Sequence, residues 1–90
     1  MTPAARHLTV HGDVQGVNFR NATLARAEEL GLAGWVANQA DGTVAIHAEG
    51  TDEVLDALVQ WAEQGPPGAR VQRVDSAEAP PEGIDGFAMR

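Results

Sequence analysis

The feature of this chain that leaves the fewest folds open is the order in which its apolar residues change period. Over residues 6–11 they alternate, with Leu8 and Val10 on one side and His7, Thr9 and His11 on the other, as in a strand buried on one face. From 21 to 30 the spacing becomes helical through Thr23, Ala27 and Leu30, and Gly31 stands where a left-handed residue would close that helix. Residues 32–38 and 43–49 read as two strands joined around Gln39-Ala40-Asp41-Gly42, since Asp-Gly between apolar runs favours a hairpin. Val44, Ile46 and Ala48 point one way and Thr43, Ala45, His47 and Glu49 the other, which predicts a sheet covered on one face and wet on the other. Thr51, followed by Asp52 and Glu53, caps a second helix with a broad apolar stripe of Val54, Leu55, Leu58, Trp61 and Ala62. Gly65-Pro66-Pro67-Gly68 stops it. Residues 69–77 read as a strand with a bulge or bend, because Val71 and Val74 are three apart, and Phe87 and Met89 alternate in a short final strand.

The order β-α-β-β-α-β, with one short extra C-terminal strand, is an α+β, ferredoxin-like plan: two helices on one face of an antiparallel sheet. Ninety residues, 43% of them hydrophobic, suit a single domain spanning 1–90. There is no cysteine, so disulfides, thiolate metal sites and a cysteine nucleophile are excluded. The first six residues lack the apolar core of a signal peptide, and no run nears the roughly 20 apolar residues that cross a bilayer. A cytoplasmic monomer with no membrane partner is the expectation. A net charge of -7 argues against nucleic acid as a partner, and the central strands lack a pair of exposed aromatics on which bases would stack. His7, His11 and His47 are too scattered to suggest a metal site and read as surface residues, although His11 borders the loop described next. The acidic run from Glu49 to Asp56 reads as a solvated helix start, and Trp35 and Trp61 as packing residues.

Between the first strand and first helix lies His11-Gly12-Asp13-Val14-Gln15-Gly16-Val17-Asn18-Phe19-Arg20-Asn21. Its glycines reach positive φ without strain, so successive N–H groups can converge on one spot. A helix starting near Arg20 or Asn21 adds unpaired N–H groups and a positive dipole end, and Arg20 adds a planar fork matched to two phosphate or carboxylate oxygens. Arg20 reads equally as a solvated or ion-paired residue at a helix start, but a cation is unfavourable at a helix N-terminus by up to about 1 kcal/mol, which tips the reading towards a shared anion. Asn38, at a strand end, reads most simply as a turn former through its side-chain hydrogen bonds.

The run Gly12-x-Val14-Gln15-Gly16-Val17-x-Phe19-Arg20 resembles the signature of the acylphosphatase family. Leu30-Gly31-Leu32-x-Gly34-Trp35-Val36-x-Asn38-x-x-Asp41-Gly42-x-Val44 resembles that family's second motif, and Gly65-Pro66-Pro67-Gly68-Ala69-Arg70-Val71 with Gly86-Phe87 extends the likeness along the chain. The resemblance implies the same ferredoxin-like fold. It also implies a hydrolase that splits the carboxyl–phosphate bond of small acyl phosphates without metal or organic cofactor, with inorganic phosphate or sulfate binding as product or mimic. On the matching positions it implies that Arg20 and the backbone amides of Gln15, Gly16, Val17, Asn18 and Phe19 hold the phosphate while Asn38 orients the attacking water. The sequence departs from the pattern at Asp13, a position often basic in relatives, which sets a carboxylate beside the loop.

Overall fold

Every change of period becomes an element in the computed structural model, which describes residues 3–90. Strand β1 spans Ala4–Asp13, helix α1 Phe19–Glu29, β2 Ala33–Asn38, β3 Val44–Gly50, helix α2 Asp52–Gln64, β4 Arg70–Ala79 and β5 Phe87–Met89. The sheet order is β4-β1-β3-β2-β5, the ferredoxin-like arrangement with β5 added at one edge. No helix among the described residues is long and apolar enough to cross a membrane.

The alternation sets the registers. Leu8 pairs with Ile46 and Val10 with Val44 across β1 and β3, so their side chains share one face. On that face Leu8, Val10, Val36, Val44 and Ile46 pack against Phe19 and Ala27 of α1 and Leu55, Leu58 and Ala62 of α2, all at most 1% exposed. Burial of each large side chain contributes about 1.5–3 kcal/mol, which is what holds both helices to one side. Thr51 caps α2 as read from the sequence, its hydroxyl accepting from the Val54 N–H at 3.4 Å. The irregularity between Val71 and Val74 is a bulge: His11 pairs with Arg73 but Gly12 with Val71, leaving Gln72 as the extra residue.

Four expectations need correction. First, α1 begins at Phe19, ahead of the Arg20–Asn21 start read from the sequence, because the turn at Asn18 already aligns Phe19 and buries its ring. Second, the sheet is antiparallel except at β2–β5, which run parallel. β2 and β5 both run antiparallel to β4, so when the chain crosses from β4 at one edge and returns in the opposite direction at the other, β5 lies parallel to β2. Third, the face of β3 opposite the helices is covered, with Ala45, His47 and Glu49 between 1% and 4% exposed. β3 is the central strand, Trp35 stacks on His47 with ring centroids 6.0 Å apart, and the 80–86 crossing passes its end. Fourth, His47 and Glu49 are therefore buried partners at 2.6 Å and not surface groups. Glu49 also accepts from the Glu82 N–H at 2.7 Å and the Gly83 N–H at 3.1 Å. Burial alone would push its carboxyl up, but those N–H groups and His47 outweigh it and hold the carboxyl below its ordinary range.

Gly34 shows how tightly β2 meets β3. Its φ is +141°, and a Cβ there would fall on the carbonyl oxygen of His47, which belongs to rigid sheet backbone. Gly34→Ala is expected to cost about 3 kcal/mol or more, a drop in Tm of at least about 12 °C for a chain this size. Gly42→Ala, where a Cβ meets open space, should cost less despite a φ of +92°. Equal losses in the two variants by denaturant unfolding would show that the close approach does not matter.

Candidate active site

Residues 14–18 join β1 to α1, and within them the backbone turns left-handed at Gly16 (φ +73°) and again at Asn18 (φ +66°). Asparagine is among the few side chains that tolerate this region, and Asn18 alone among the described non-glycine residues occupies it. Its Oδ1 accepts from Asn21 Nδ2 at 2.6 Å and caps no backbone group. The first helical bond runs from the Ala22 N–H to the Asn18 carbonyl at 3.1 Å. The N–H groups of Phe19, Arg20 and Asn21 therefore lie ahead of any helical acceptor. No acidic side chain stands in that first turn, so the positive end of the dipole is unanswered from within the chain. Phe19 fixes the helix end from below: its ring is 1% exposed and tilts against Trp61 with centroids 5.6 Å apart.

Arg20 is half-buried, and its Nη1 donates to the main-chain oxygen of Arg90 at 3.0 Å. Arg6, Arg26 and Arg73 each meet a side-chain carboxylate, whereas Arg20 meets no Asp or Glu side chain among the described residues. No side-chain ion pair therefore accounts for Arg20 among the described residues. One anchoring contact leaves most of its five donors open while fixing the direction of the fork.

Asn38 ends β2. Strand alternation puts it on the side of Gly34 and Val36, the side that α1 covers, so it projects beside the helix start. Its amide makes no hydrogen bond among the described residues. The turn beyond it is held instead by Asp41, whose Oδ1 accepts from the Thr43 hydroxyl at 2.7 Å and the Thr43 N–H at 3.0 Å. Both bonds favour the ionised form and lower the Asp41 carboxyl below its ordinary range. The simple turn-former reading of Asn38 is thus taken over by Asp41.

These groups share one cavity of about 190 Å³ lined by Val14, Gly16, Asn18, Phe19, Arg20, Asn21, Asn38 and Met89. Of the loop residues named from the sequence, Gly16, Asn18, Phe19 and Arg20 line it, while Val17 is half-buried against the core. The Gln15 side chain turns away, its Nε2 donating to the carbonyls of Gln39 at 2.7 Å and Thr43 at 2.9 Å. It therefore ties the loop to the hairpin that carries Asn38. Val14, Asn21 and Met89 were not singled out. The fully buried Val14 and the neighbouring Asn21 follow from position beside the loop, but Met89 arrives only through the β2–β5 pairing, where it stands opposite Val36. His11 pairs with Asp75 at 2.9 Å, on the β4 side. Among the described residues no three His, Asp or Glu side chains come together as metal ligands would.

The family model for acylphosphatase matches residues 6–89. An acylphosphatase of Acidovorax sp. (strain JS42) is 49% identical over 94% of this chain and 88% of its own length. One from Thermococcus kodakarensis is 51% identical over 92% and 91%. The solved structure of an acylphosphatase from Coxiella burnetii superposes with a TM-score of 0.95 at 39% identity, covering 99% of this chain and 94% of that one.

The tie made by Gln15 gives a test independent of turnover. Gln15→Met keeps the length of the side chain but leaves the Gln39 and Thr43 carbonyls without their donor, and should destabilise the fold by about 1–3 kcal/mol. Urea unfolding measures this, and a loss below about 0.5 kcal/mol would mean that the loop is held in place by other contacts.

Proposed function

The chain belongs to the acylphosphatase family and hydrolyses acyl phosphates, and from that premise we propose how this cavity performs the reaction. The phosphate of the substrate rests on the backbone N–H groups from Gln15 to Phe19 and is gripped by the open donors of Arg20. Asn38 orients a water for attack on phosphorus; the bond from phosphorus to the carboxyl oxygen breaks, the carboxylate leaves, and the water's proton ends on the phosphate or in solvent. The observation that carries this reading is the pairing, in one cavity, of an arginine that meets no Asp or Glu side chain and an asparagine amide that makes no hydrogen bond among the described residues.

The chemistry asks little of a base. A carboxylate is a stable leaving group that needs no protonation, so positioning and stabilisation of developing charge supply most of the acceleration. An amide suits Asn38 because it both donates and accepts, and so can hold a water in a defined orientation. We place the chain as a single-domain cytoplasmic monomer acting on a small-molecule acyl phosphate with neither metal nor organic cofactor, and with inorganic phosphate or sulfate binding as product or mimic.

Two measurements separate the roles. Phosphate at 100 times its dissociation constant should stabilise the parent protein by about 2.7 kcal/mol, and Arg20→Ala should lose that response; equal stabilisation of both proteins would place the phosphate elsewhere. Asn38→Ala should keep the response yet lose turnover by about 10²- to 10³-fold, in the presence of a chelator as in its absence. Asn38→Asp should not rescue it, since it brings a negative charge towards a phosphate dianion. An Asn38→Asp enzyme as fast as the parent would show that the water is activated by proton abstraction.

A further inference from the structure

Arg20 takes its direction from the last residue of the chain, and that residue is held in turn by groups on the far side of the sheet. The Arg90 N–H donates to the Val36 carbonyl at 2.8 Å, its oxygen accepts from Arg20 at 3.0 Å, and its guanidinium lies 4.8 Å from the centre of the Trp35 ring. Trp35 stacks on His47, and His47 Nε2 donates to Glu49 at 2.6 Å. A second route follows the backbone. Glu49 Oε2 accepts from the Glu82 N–H and Oε1 from the Gly83 N–H, which pins the 80–86 crossing to the end of β3. From there the Gly86 carbonyl accepts from the Gly34 N–H at 2.9 Å and β5 is laid along β2 with Met89 at the cavity.

We infer that Glu49 is a positioning residue for phosphate binding, acting through the 80–86 crossing and β5 to aim the Arg20 guanidinium from the opposite face of the sheet. The chemistry of the contact supports this role over simple filling of space. A carboxylate that is 3% exposed accepts three hydrogen bonds and spends none on solvent, and two of its three donors are backbone N–H groups of a segment whose side chains are largely exposed. The 80–86 segment has only Ile84 half-buried, so apolar burial does little to hold it, and the carboxylate is its main fixed point on the sheet. This role for Glu49 rests on the reading of Arg20 as the phosphate ligand.

The inference predicts which variants raise KM without slowing the chemical step. Glu49→Gln keeps the volume but turns an NH₂ towards at least one of its three donors. It should raise KM for an acyl phosphate and the inhibition constant for inorganic phosphate together, by about tenfold, with kcat within about threefold of the parent. Because a buried carboxylate can also matter for folding, Glu82 provides a second, exposed pair of variants. Glu82→Pro deletes the N–H that Glu49 accepts and should raise KM in the same way, whereas Glu82→Ala keeps that N–H and should leave KM at the parental value. In Glu49→Gln, hydrogen exchange should also quicken at the Gly34 and Arg90 amides, which seal β5 to β2, while the amides between β1 and β3 keep their protection. Leu58→Val, a core change in α2, serves as control: it should lower Tm and leave KM unchanged. Parental KM in both Glu49→Gln and Glu82→Pro, with Arg20→Ala defective in phosphate binding, would overturn this inference alone. Undiminished phosphate binding by Arg20→Ala would overturn the reading beneath it.

Discussion

The proposed site turns on a set of backbone N–H groups at the start of α1 that no group among the described residues satisfies. A helix cannot supply acceptors to its own first turn, and most helices answer with a capping side chain or an acidic residue. Here Asn18 spends its side chain on Asn21, the first turn carries no acid, and the one charge added is the cation Arg20. Such an arrangement is stable enough to persist because Phe19 is driven into the core immediately beneath it. In the mechanism we propose, the substrate's phosphate supplies the missing acceptors.

Three separate stretches meet at this place, each brought by different physics. The loop is shaped locally by left-handed backbone at Gly16 and Asn18. Asn38 comes with a hairpin whose turn is stiffened by Asp41 and whose carbonyls are tied back to the loop through Gln15, so the loop and the strand end that carries Asn38 are fixed to each other. The main-chain oxygen that steadies Arg20 comes from the far end of the chain, carried across the sheet by a segment whose main fixed point is Glu49.

How much of this was legible in the sequence follows the range of the interactions. Leu8 and Val10, the Val44–Ile46–Ala48 face, the Thr51 cap and the Val71–Val74 bulge are written in local spacing, and all of them appear in the fold. Arg20 and Asn38 were readable as candidates because a cation at a helix start and a motif match are both local, and they line the same cavity. What escaped depends on contacts between residues far apart in the chain. His47 and Glu49 alternate as a wet face should, and only the crossing of residues 80–86 together with Trp35 buries them. Met89 reads locally only as part of a final strand, and its place at the cavity is decided by β5 running parallel to β2. The early start of α1 was hidden by Asn18, whose left-handed backbone leaves no trace in apolar periodicity.

The central claim is that the unsatisfied N–H groups of the β1–α1 loop, together with Arg20, form the phosphate site. Titrating the ¹⁵N-labelled protein with inorganic phosphate and following its amide and guanidinium resonances by NMR tests this at the level of single groups. Saturable shifts should concentrate on the amides from Gln15 to Arg20 and on the Arg20 Nε–H, sharing one dissociation constant equal to the inhibition constant for turnover. Saturable shifts centred elsewhere, with these amides silent at a phosphate concentration that inhibits the enzyme, would contradict it.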